Sequence, residues 1–125
     1  MRVIVVDENR NQRESICRGL RLFGHQSVAV RSLDEAGRVL TAAATDVDVA
    51  LVALGGGQAA AAFIRTAAER WPEVAVLAYD GEGEVEPAQL PPHPHLALLP
   101  APFDPEILDQ ALRALSANHN KETQP

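Results

Sequence analysis

Asp48-Val49-Ala50-Leu51-Val52-Ala53-Leu54-Gly55-Gly56-Gly57 is the stretch on which the fold turns. An acid opens it, an unbroken apolar run follows, and three glycines end it abruptly. A short run with no polar alternation suits a strand buried on both faces, as in a parallel sheet. Working outward, Val3-Ile4-Val5-Val6 is a second such run, stopped by Asp7-Glu8-Asn9. His25–Val30, Val74–Ala78 and Leu96–Leu99 read as three further strands.

Between the strands the apolar spacing changes to three and four. Ile16, Cys17, Leu20 and Phe23 form one stripe over Arg10–Phe23, with Asn9 as cap and Gly24 as stop. Ser32 with Glu35 three residues on predicts a capping box for the next helix. Gln58–Arg70 is alanine-rich and closed by Trp71-Pro72. In the last helix Asp104 caps, Pro105 takes the first position, and Ile107, Leu108, Ala111, Leu112 and Leu115 form the buried stripe. The interval 84–95 differs, because Pro87, Pro91, Pro92 and Pro94 forbid a long helix. Strand and helix thus alternate five times, which predicts a three-layer α/β sandwich with a parallel sheet, helices on both faces and a short or disrupted fourth helix. One domain over 1–117 is expected, with 118–125 as a flexible tail or the start of a linker.

The remaining composition excludes several functions. The chain has 125 residues and a net charge of −6, which opposes nucleic-acid binding through a broad basic face but leaves room for a small local basic patch. One cysteine, Cys17, cannot build a disulfide framework and reads as a core residue. Neither a signal peptide nor a membrane-length apolar stretch is present, so a cytoplasmic location is expected. Gly55-Gly56-Gly57 lacks the Lys and Ser or Thr of a phosphate-binding loop. His93 and His95 have no third metal ligand nearby, and His25 and His119 show no companion. No base, nucleophile and oxyanion donor assemble from the visible motifs, so an independent enzyme is not expected.

The order and spacing of VIVVDENR (3–10), DVDVALVAL (46–54), WPEVAVLAY (71–79) and LLPAPFDPEILDQAL (98–112) resemble the receiver domain of bacterial two-component response regulators, from Met1 to about Ala117. The resemblance implies a strand order of 2-1-3-4-5 with the chemistry at the carboxyl ends of the strands. It also implies five polar positions. Asp7 and Glu8 match the acidic pair that binds magnesium. The phosphate-accepting aspartate falls on Ala53, the hydroxyl residue on Tyr79 or Asp80, the lysine on Ala101, and the aromatic switch of the fifth strand on Leu98.

These departures remove the chemistry. Ala53 has no carboxylate to attack phosphorus, and Ala101 has no ammonium to balance its charge. Asp7 and Glu8 without a third carboxylate are weak magnesium ligands, so no cofactor is expected. Losing the aspartate alone would strand an unpaired lysine, so two alanines suggest a site relaxed as a unit. The reading is a pseudo-receiver: a phosphorylation-independent signalling module, in transcription regulation or another output, acting on a protein partner or an attached C-terminal effector. A homodimer is an option, and neither direct nucleic-acid contact nor a membrane is expected. Leu98, Pro102, Phe103 and Leu115 are the expected interaction surface, with Leu22 beside a helix end as a further exposed apolar residue. Two alternatives are an active receiver using another acidic residue, such as Asp80, and a small-molecule sensor using the vacated crevice.

Overall fold

Five parallel strands form one sheet in the order β2-β1-β3-β4-β5. They are β1 Arg2–Val6, β2 Gln26–Val30, β3 Val49–Ala53, β4 Ala75–Tyr79 and β5 Leu96–Leu99. In the computed structural model the described residues are 1–55, 58–80, 86, 89–100 and 102–123, the side chains extending to Ser116. Helices α1 Arg10–Leu22, α2 Leu33–Ala43, α3 Ala59–Arg70 and α4 Pro105–Thr123 connect or follow the strands, with a 3-10 turn at Ala44–Asp46.

Strand alternation sorts the core into two halves. Ile4, Val6, Val30, Ala50, Val52 and Val76 face α2 and α3, where Leu40, Phe63 and Ile64 close over them. Val3, Val5, Val49, Leu51, Leu77 and Tyr79 face α1 and α4, against Ile16, Leu20, Leu108 and Leu112. Truncating a fully buried leucine such as Leu77 in a core of this kind costs about 2–5 kcal/mol. β3, at the centre of the sheet, and β1 beside it are both continuous apolar runs of the sequence.

The caps follow the predicted chemistry. Asn9 Oδ1 accepts the Gln12 N–H, Ser32 Oγ the Glu35 N–H, and Asp104 Oδ1 the Ile107 N–H. The capping box is displaced by one residue, because Glu35 reaches back to the Arg31 N–H rather than to that of Ser32. Gly24 ends α1 at φ 81°, a conformation that favours glycine. Gly19 lets the start of α4 approach α1, since a Cβ there would lie 3.1 Å from Pro105.

One sequence expectation, the short or disrupted fourth helix, holds, and another, the start of the tail, changes. Between β4 and β5 no α-helix occurs among the described residues, and Leu90 packs on the α2–α3 half of the core. The terminal helix instead continues to Thr123, beyond Ala117 where a tail was expected. Residues 118–123 contain neither glycine nor proline, so helical hydrogen bonding propagates through them. Among the described residues no helix is long and apolar enough to cross a membrane.

Candidate functional site

The carboxyl ends of β1, β3 and β4 bring three expected positions into one row. Val5 pairs with Leu51 and Ala53 with Tyr79, so the face carrying Val5 and Leu51 continues upward as Asp7, Ala53 and Tyr79. This register selects Tyr79, rather than Asp80, as the residue beside Ala53. Asp7 and Tyr79 stand two strand spacings apart, about 9.6 Å at the usual separation. A methyl group between them leaves room for the phenol to cross β3.

The phenol makes that crossing. Tyr79 is 1% exposed, and its hydroxyl donates to Asp7 Oδ2 at 2.5 Å. The second Asp7 oxygen accepts the Asn9 N–H at 2.9 Å, so both oxygens are engaged within the protein. Arg13 donates to the Asp7 carbonyl at 2.8 Å and fixes the loop behind it. The Phe103 ring packs edge-on against Tyr79, with centroids 5.5 Å apart and planes at 74°. Burial, and then the bond to Asp7, raise the Tyr79 pKa far above that of an ordinary phenol. The hydroxyl therefore stays protonated as a donor at every physiological pH.

The other expected positions spread out. Glu8 is exposed, whereas Asp7 is buried. Among the described residues no group of three or more His, Cys, Asp or Glu could hold a metal ion. Asp80 is buried directly after β4. Ala101 lies outside the described residues, as do Gly56 and Gly57. On the α2–α3 side of Ala53, a cavity of about 300 Å³ remains, lined by Asp7, Glu8, Asn9, Arg31 and Ser32 among others.

The expected interaction surface needs correction at one residue. Pro102 is exposed, and Leu98 and Phe103 are half-buried, but Leu115 is only 6% exposed and belongs to the α1–α4 half of the core. Ile107, expected in the buried stripe, is instead exposed at the edge of that helix face. Leu22 is 77% exposed, as expected. Cys17 packs against the core but keeps partial exposure.

Two histidine readings also change. His25 has a companion: its Nε2–H donates to Asp109 Oδ1 at 2.6 Å, while the Met1 amino group donates to its Nδ1 at 3.1 Å. Asp109 Oδ2 accepts from Arg113 Nε at 2.8 Å. Asp109 is separated from His25 by 84 positions, so no local spacing could reveal the pair. Arg113 and then His25 hold the Asp109 pKa below the usual carboxylate value. His93 accepts the His95 N–H through Nδ1, and its buried Nε2 has no hydrogen-bond partner among the described residues. Burial, and then His95, push the His93 pKa down to about 4.

No protein-family model matches the chain, and no curated protein matches it by sequence. Solved structures do match. A response-regulator receiver domain protein from Clostridium thermocellum superposes with a TM-score of 0.82 at 16% identity, covering 98% of both chains. The Vibrio cholerae chemotaxis protein CheY4 gives 0.75 at 18% identity, over 91% of this chain and 97% of the other. NtrX from Brucella abortus, solved with ADP, gives 0.78 at 16% identity; 97% of this chain covers 27% of that longer protein. On this structural likeness the chain has the fold of response-regulator receiver domains.

Proposed function

We propose that this chain is a pseudo-receiver: a signalling module that binds protein without passing through a phosphorylated state. One observation carries the reading. In the row Asp7–Ala53–Tyr79, the position to which the sequence resemblance assigns a nucleophilic carboxylate holds a methyl group, and a buried phenol reaches past it to Asp7. Phosphoryl transfer needs a carboxylate oxygen for in-line attack and cationic groups for the charge that develops. Asp7 has both oxygens engaged, and Tyr79 remains neutral in its buried place. The bond from Tyr79 to Asp7 thus ties together the carboxyl ends of β1 and β4.

The module's output then depends on its fixed surface, with Leu98, Pro102 and Phe103 as candidate contacts at one end of the sheet. The partner is another protein or an attached effector domain, and the chain is not itself an enzyme. Incubation with acetyl phosphate and magnesium, read by intact mass under neutral handling, tests this directly. An active receiver domain run in parallel gains one phosphoryl mass, and this chain is expected to gain none. A stoichiometric, acid-labile gain would show that another carboxylate, such as Asp80, serves as acceptor, and would overturn the proposal.

A further inference from the structure

The outer edge of β2 combines two features that the row at the strand ends leaves unused. β2 is the terminal strand, paired only with β1. Gln26 donates to Met1 and Val30 accepts from Asp7, so Gln26, Val28 and Val30 turn their backbone groups toward β1. Strand alternation then points the N–H and C=O groups of Ser27 and Ala29 outward. Beyond them the Arg31 N–H is capped by Glu35, which marks where the open edge ends. An edge of this kind is a template for a further strand.

The side chains flanking that edge are unequal. On the α2–α3 face Val28 is 40% exposed. On the α1 face the small side chain of Ala29 leaves a hollow of about 590 Å³, walled by Arg13, Arg18, Arg21 and Arg31. Glu14 and Glu35 also border it, but Glu14 is paired with Arg10 and Glu35 with the Arg31 backbone. Arg18, Arg21 and Arg31 have no carboxylate within ion-pair distance among the described residues. A chain of net charge −6 therefore gathers arginines without ion-pair partners among the described residues beside the small-residue edge of β2.

We propose that the open edge of β2 and the arginine hollow beside it dock an extended segment of a partner protein in which acidic and apolar residues alternate. Backbone bonds to Ser27 and Ala29 place the segment, and alternate side chains fall on opposite faces. One set lies over the arginines and requires carboxylates, which guanidinium groups bind in a fork. The other lies beside Val28 and requires apolar groups. Charge alone would also attract a nucleic acid, but a polyanion without strand hydrogen bonds leaves Ser27, Ala29 and Val28 unused.

Fluorescence anisotropy with three labelled peptides on the whole chain separates these cases: alternating Glu-Val, alternating Lys-Val, and a block peptide of the same Glu and Val content. The alternating Glu-Val peptide is expected to bind at least about tenfold more tightly than either control. Arg18→Glu with Arg21→Glu, at exposed positions, is expected to weaken that binding about tenfold or more. Ala29→Pro removes an edge donor that the sheet does not use and is expected to weaken it too, with circular dichroism checking the fold. Equal binding of alternating and block peptides would overturn the proposal, as would tighter binding of single-stranded DNA. Self-association abolished by the arginine reversals would assign the face to a second copy and overturn it as well.

Discussion

At the amino end of the sheet, Met1, His25, Asp109 and Arg113 form a chain of donors and acceptors in which a carboxylate meets cationic and imidazole groups. At the carboxyl end, Asp7 meets a neutral phenol across Ala53. Both networks bridge elements far apart in sequence. The first ties α4 to the segment before β2, the second ties β1 to β4. They differ in which protonation state the fold favours. Asp109 is held ionised and Tyr79 is held protonated, so acid attacks one end and alkali the other. At one end the buried carboxylate is bonded to a neutral phenol, and at the other to an imidazole and a guanidinium.

The largest effect is expected from His25→Ala. It removes a buried ring and leaves Asp109 Oδ1 without its donor, at a combined cost of about 3 kcal/mol by urea denaturation. If the loss stays below about 0.5 kcal/mol, in the range of an ordinary surface change, the amino-end network is not structural. Tyr79→Phe is expected to cost about 1–3 kcal/mol, because Asp7 Oδ2 stays buried with no donor.

The pH dependence sharpens the contrast. The raised Tyr79 pKa gives stability that is complete below the unfolded phenol value, about 10, and declines as pH rises from there toward the folded value. Tyr79→Phe should flatten that alkaline decline, measured by melting temperature across the range. The lowered Asp109 pKa gives stability present above the unfolded carboxylate value and lost as pH falls through the folded one. Asp109→Asn should weaken the acid decline and leave the alkaline one unchanged. A variant that moved both limbs would show that the two ends are coupled through the sheet.

The sequence revealed these regions unevenly. Strand and helix identities were legible because continuous apolar runs and three-to-four spacings are local signals, as in Val49–Ala53 and in Ile16 and Leu20 on α1. The absence of a carboxylate at Ala53 was equally plain, since it needs only the strand and a count along it. The use made of that absence was not legible. Tyr79 crosses to Asp7 only because β3 lies between β1 and β4, and strand order is a long-range fact. The His25–Asp109 pair escaped for the same reason. Leu115 was assigned both to a buried stripe and to a surface, and packing against the α1 side of the core decided for burial.

The smallest effect concerns His93, in the crossover between the two ends. Its Nδ1 accepts the His95 N–H, which requires that nitrogen to be unprotonated, and its buried Nε2 has no partner among the described residues. Protonation would break the turn's bond and place a cation beside His95. The lowered pKa gives stability present above the unfolded imidazole value, about 6.5, and lost as pH falls toward about 4. His93→Gln has no group titrating in that window, so its stability should be flatter than the parent's between those limits. Asp109 acts on the acid side of the same range, which makes the double variant with Asp109→Asn the decisive comparison. Additive flattening would mean that the proline-set crossover and the amino-end network titrate independently, as their different attachments to the core imply.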